Sequence, residues 1–267
     1  MKEMNVLPGL AMFTGCYPFL RAWLANRATT LRPALAWSAA AWLAWTAAAL
    51  DADSFTLPYL ALCLTGCAGV AVLGARRPGA GAWNFVCAGL LIVLLLPVAS
   101  GFGAPRLEPA HVIFLSATLA VGWLNHLPTR AGVAVSLAAI ACALELFRMA
   151  GGDLALVAVW TSRTLLAVAP WVAWLALSVS RPSNEFDRIW LGFRDRYGFL
   201  WSERVREQFN RSVASAGRQE RLAWHGLRPT GADDGEALNT LRALLKRFGS
   251  ADGDSARRAH RGAGAPP

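Results

Sequence analysis

Six apolar runs, each long enough to cross a hydrocarbon core, constrain this chain more than any other feature: residues 33–50, 55–75, 82–100, 110–127, 131–147 and 154–180. A bilayer core is ~30 Å thick and a helix rises ~1.5 Å per residue, so runs of this length span it as helices. Lipid offers no hydrogen bonds to the backbone, which excludes open strands, and the alternating ~10-residue segments of a barrel are missing. With 55% hydrophobic and only 16% charged residues, the chain is too apolar for an ordinary soluble domain. The expected fold class is all-α: a polytopic membrane helix bundle of about six transmembrane helices with a small, mainly helical C-terminal cytoplasmic domain.

Within the runs, Ala36, Ala40, Ala44 and Ala48 recur at spacing four, a small-residue stripe that permits close helix approach. Pro58, Pro97 and Pro170 fall inside spans, where a neighbouring helix or water must satisfy the freed carbonyls. Arginine and lysine fix the orientation. Arg21, Arg27, Arg32, Arg76, Arg77, Arg130 and the basic tail lie on one side, while the opposite loops hold only Arg106 and Arg148. This places the protein in the cell membrane with both termini cytoplasmic. The division is an N-terminal cytoplasmic or interfacial segment (1–32), a six-helix domain (33–180), a cytoplasmic amphipathic helical domain (181–249) and a disordered tail (250–267). Phe13-Thr14-Gly15-Cys16 resembles a lipoprotein cleavage site only in part, since the preceding region is short and broken by Pro8; an interfacial or re-entrant helix fits better.

Charged and strongly polar groups inside spans are costly and therefore informative. Asn125, His126, Glu145 and Arg163 are the candidates. Glu145 and Arg163 fall on the same outer half, where they either pair along a polar pathway or leave Arg163 to snorkel at the interface. His126 lies in "WLNHLPTR", a tight inner turn where hydrogen bonding is its expected role. His111 is ~22 Å away along the same run, so the two cannot share a metal or haem. Cys63 and Cys67 share a helical face without histidine or carboxylate neighbours and read as packing residues. No cofactor or metal is expected, and no phosphate-cradling loop, zinc-protease or nucleophile-elbow motif occurs.

The segment 186–212, "FDRIWLGFRDRYGFLWSERVREQFNRS", alternates arginines with large aromatics. Asn184 can cap a helix there, with Glu185 and Asp187 in its first turn. At 100° per residue Phe186, Ile189, Trp190, Phe193, Tyr197, Leu200 and Trp201 share an arc of about 120°, with Arg194 and Arg196 at its borders. The arc suits a helix on the inner leaflet in contact with anionic lipids, or a groove of its own domain. Exposed rings for base stacking are not implied, so nucleic acid is not an expected partner. Arg204 breaks the arc, so a second helix should start near 198–201 and run through Val205, Phe209 and Val213 to Gly217. "LAWHGL" (222–227) reads as extended, and a last helix covers 234–248. The functional expectation is a non-enzymatic membrane scaffold that recruits another protein through its basic cytoplasmic domain. A small-molecule or ion transporter comes second and a membrane-embedded enzyme third.

Overall fold

The computed structural model describes residues 6–51, 54–76, 80–99, 107–152, 156–179, 184–228 and 234–249; the tail expected to be disordered lies outside them. The fold is all-helical apart from one small hairpin. Its helices are α1 (Val6–Thr14), α2 (Cys16–Asn26), α3 (Arg32–Leu50), α4 (Thr56–Leu73), α5 (Ala80–Ala99), α6 (Pro109–His126), α7 (Gly132–Met149), α8 (Leu156–Val179), α9 (Glu185–Ser215) and α10 (Asp234–Leu245). Each of the six apolar runs forms one helix, α3 to α8, and among the described residues four of these, α3, α4, α7 and α8, are long and apolar enough to cross a membrane.

α4 is the hub, packing on α3, α5, α6 and α7. Small residues decide where its backbone comes closest to a neighbour. A Cβ placed on Gly69 would lie 2.8 Å from Gly122 Cα of α6, and one on Gly66 would lie 2.9 Å from Thr118. At Gly69 and Gly122 the backbones meet this closely because neither residue carries a side chain, and at Gly66 the missing side chain leaves room for the Thr118 methyl. The alanine stripe of α3 is a milder version: Ala44 and Ala48 are buried beside Trp42 and Trp45, and Trp45 Nε1 donates to Thr65 Oγ1 of α4 at 3.0 Å. Near Pro97, which interrupts α5, Tyr59 of α4 donates to the carbonyl of Leu94 at 2.5 Å. Pro97 itself frees the carbonyl four residues earlier, that of Val93, so the Tyr59 bond fastens α4 to α5 one residue beyond the gap in the ladder.

α1 and α2 do not lie flat at one end of the bundle. Gly9 abuts the Leu50 side chain at the C-terminal end of α3, Gly15 abuts Trp42, and the Phe19 ring packs tilted against Trp42 with ring centroids 5.1 Å apart. The two helices thus run antiparallel to α3, with a break at Gly15. Tyr17 packs against Trp171 and Trp174, which fastens α2 to α8. The end of α2, Asn26, arrives beside α9, where Arg196 Nη1 reaches Asn26 Oδ1 at 3.5 Å.

α9 begins at an Asn184 cap whose side chain accepts from Phe186 N at 2.8 Å, as the sequence implies. The second helix expected to start near 198–201 begins at a kink at Gly198, where φ +76° and ψ −167° are not helical and divide α9 into two helical halves. Gly217, at φ +71°, terminates it. The extended "LAWHGL" segment turns back on itself as a hairpin, β1 (Arg221–Ala223) against β2 (Gly226–Arg228), with Ala223 opposite Gly226. Asn210 locks this hairpin to α9, accepting from Leu222 N at 2.7 Å and donating to Leu222 O at 3.1 Å.

Candidate functional site

The polar and aromatic residues singled out from the sequence converge mainly on one junction, where α9, the hairpin and α10 close over the end of the bundle that carries Leu31, Leu35, Val72 and Ala75. Phe186, Trp190, Phe193, Tyr197 and Trp201 are all buried there, with Ile189 packed alongside. Of the two placements that suit the arc, the inner leaflet and a protein groove, these rings occupy the second: they face protein. An apolar arc fits any apolar partner, and the ends of α3 and α4 provide one that periodicity within α9 cannot reveal. Arg194 is buried with them. It is only 4% exposed, donates from Nε and Nη2 to Asp195 Oδ1 at 3.1 and 2.9 Å, and lies over the Trp224 ring. It cannot snorkel to phosphate.

Three kinds of bond hold the junction. Asn125, at the end of α6, bridges the α9 kink: its Nδ2 donates to Tyr197 O at 3.2 Å and its Oδ1 accepts from Leu200 N at 3.0 Å. A break in a helix leaves backbone groups without intrahelical partners, and here an amide from another helix supplies both. Gly198 is required because a Cβ there would collide with the Asn125 amide.

Asp195 forms a buried ionic knot, accepting from the Arg130 backbone N–H at 3.2 Å and from Arg130 Nε as well as from Arg194. Indole donors then cap carbonyls at helix ends. Trp201 Nε1 donates to Val72 O at 3.1 Å and Trp224 Nε1 to Pro128 O at 3.0 Å, while Trp224 O accepts from Trp190 Nε1 and Arg194 Nη1.

Tyr197 sits between elements distant in sequence. Its hydroxyl donates to Phe248 O at 3.0 Å and lies 3.1 Å from Thr30 Oγ1, which itself donates to Ala75 O at 2.7 Å. Burial raises the Tyr197 pKa, with the Thr30 hydrogen bond opposing the shift. His126 uses Nδ1 toward Gly122 O at 3.3 Å, a hydrogen bond at the turn. It also edges a cleft of about 530 Å³ between α4, α6 and α7 that contains Thr65, Ser116 and Ser136.

Glu145 and Arg163 lie at the opposite end of the bundle. Glu145 is buried, accepts from Ser162 Oγ at 2.6 Å and pairs with Arg148 Nε at 3.0 Å. Arg163, Arg148 and Asp51 line the same small cavity, about 10 Å³, on the scale of a single water. Arg148 had read only as a loop cation, although its i,i+3 spacing from Glu145 is a pairing signal. Sequence reasoning also passed over Asp195, Arg130 as its partner, Thr30 and Trp224. The "RDR" triplet was the available clue to Asp195, whereas Thr30 carried no local signal.

Comparison with protein-family models, curated proteins and solved structures gives no match.

Proposed function

We propose that the chain is an integral membrane protein in which α3 to α8 make six crossings, and that it acts as a non-enzymatic scaffold whose docked C-terminal unit offers a basic face to an acidic protein partner on the inner side. The bias of arginines toward the α9 end supports the inner placement of that unit. The antiparallel run of α1 and α2 along α3 supports a further, broken crossing. That crossing would put Val6 on the outer side, where the sequence reading had both termini inside.

The observation that carries the scaffold reading is an open groove of about 780 Å³ on the second half of α9 and the hairpin, lined by Arg206, Arg211, Arg221 and Arg228. Arg206 and Arg211 have carboxylate neighbours in Glu203 and Glu207. Arg221 and Arg228 face each other directly across the two strands, both exposed and without an ion pair among the described residues. Like charges directly opposite in a hairpin destabilise it, and an acidic partner offsets that cost. No aromatic residue lines the groove to stack bases, which favours an acidic polypeptide over nucleic acid.

The test uses the full chain in nanodiscs, titrated with a labelled glutamate-rich peptide and with single-stranded RNA. Peptide binding that weakens with salt and disappears in the Arg221→Glu/Arg228→Glu variant is expected. RNA binding in preference to peptide, or no binding of either, overturns the reading. The second reading, transport, draws support from the hydroxyl-bearing cleft beside His126; substrate-dependent flux in reconstituted vesicles would favour it.

A further inference from the structure

A second groove, about 400 Å³, opens between α2, α8 and the first half of α9. It has two chemically distinct ends. Along α8 its wall is Pro170, Ala173, Trp174 and Leu177, faced by Phe19 and Ala22 of α2. From Pro170 to Ser178 this is eight helical steps, ~12 Å of apolar surface in a helix apolar enough to span a membrane. Toward α9 the lining changes to Arg21, Arg130 and Arg196, with Asp195 as the acidic member.

The charges there do not balance. Asp195 is already shared by Arg130 and Arg194. Arg196 donates only to neutral oxygens, Gly192 O at 2.6 Å and Asn26 Oδ1 at 3.5 Å. Arg21 is exposed and makes no hydrogen bond or ion pair among the described residues. Among the described residues, two guanidinium groups with no ion pair to a carboxylate thus stand at the mouth of an apolar slot. Tyr17, Leu20, Leu24, Leu175 and Leu177 around it are exposed, as residues facing acyl chains are.

A soluble anion would leave the slot along α8 unfilled, and a neutral lipid would leave the guanidinium groups without a counter-charge. We propose that the groove is a binding site for an anionic phospholipid of the inner leaflet, with its phosphate between Arg21 and Arg196 and an acyl chain laid along Ala173, Trp174 and Leu177. The lipid would wedge between α2, α8 and α9, so its occupancy couples the amino-terminal helices to the docked unit. The inference depends on α2 and α8 lying in the bilayer and is independent of any partner at the basic groove.

The experiment is native mass spectrometry of the full-length protein released from detergent after equilibration with phosphatidylglycerol, phosphatidylcholine or inorganic phosphate. Phosphatidylglycerol should be retained in preference to phosphatidylcholine. Arg21→Gln with Arg196→Gln should lower that retention roughly tenfold or more, since each cation acting on an anionic headgroup contributes a several-fold factor. Ala173→Trp, which fills the slot and leaves every arginine in place, should lower it as well. It keeps the test decisive if the double variant does not fold. Equal retention of both lipids, or retention unchanged in Ala173→Trp, overturns the proposal. Displacement of phosphatidylglycerol by inorganic phosphate would make this an anion site without chain recognition and overturn it too.

Discussion

Replacing Gly198 with alanine tests how the C-terminal unit is fastened to the bundle. At φ +76° and ψ −167° the residue occupies a region that is essentially restricted to glycine, so a side chain there costs about 1–3 kcal/mol in backbone strain. The new Cβ would also drive the Asn125 amide away and lie 2.6 Å from the Asn125 carbonyl oxygen. Losing that amide strands Leu200 N–H and Tyr197 C=O in a buried junction, at about 1–3 kcal/mol for each group. Gly198→Ala should therefore destabilise by roughly 3–9 kcal/mol. Asn125→Ala, which strands the same groups without the strain, should cost about 2–6 kcal/mol.

The double variant should cost clearly less than the sum, because the two bonds can be lost only once. At about 2–4 °C per kcal/mol for a chain of this size, Gly198→Ala should lower the melting temperature by about 6 °C or more. Thermal unfolding in detergent, followed by the fluorescence of the buried tryptophans, reads this. A variant that melts with the wild type, or single effects that add fully, would refute the bridging role of Asn125.

Three further outcomes follow from named contacts. Asp195→Asn should cost about 3–5 kcal/mol by leaving Arg130 and Arg194 unbalanced, and adding Arg130→Met should recover part of it in the same melts. Because burial raises the Tyr197 pKa above its ordinary value of 10.0, the folded state holds that proton more tightly than the unfolded chain. Stability should therefore fall as pH rises past about 10, and Tyr197→Phe, about 1 kcal/mol weaker at neutral pH, should show a shallower alkaline loss in melts taken across that range. Glu145→Gln and Arg148→Gln should each destabilise the far end of the bundle, and together they should cost less than their sum in a double-mutant cycle.

The helices of the bundle were legible because lipid-length apolar runs leave the backbone one satisfactory structure. The break in α9 was legible as well, since Arg204 would put a charge inside the arc of rings if the helix ran on unbroken. What α9 packs against was not. Phe193 or Trp190 presents the same periodicity to lipid, to α10 or to the ends of α3 and α4, and the choice among these depends on contacts such as Tyr197 with Thr30, 167 residues apart. The course of α1 and α2 was hidden for a related reason: Pro8, Pro18 and Arg21 break the apolar signal locally, while the contacts that carry the pair along α3 are made by Gly9 and Gly15 with distant side chains. Asn125 was recognised as costly within a span, but its partners are backbone groups that become available only once Gly198 is kinked.

Cysteine cross-linking between the α2–α3 turn and the end of the chain's last described helix tests the docked arrangement most directly. Thr29 and Gly249 form an isolated antiparallel bridge that joins these distant segments. Bridge partners lie ~4.5–5.5 Å apart between Cα atoms, within the range a disulfide spans. In native membranes, with the five native cysteines replaced, Thr29→Cys/Gly249→Cys should form an intramolecular disulfide under mild oxidation and shift on non-reducing gels. The account predicts near-complete cross-linking that is sharply reduced when Gly198→Ala is added. Absence of the cross-link in folded, membrane-inserted protein would mean that the C-terminal unit is not seated on the bundle and would contradict the account.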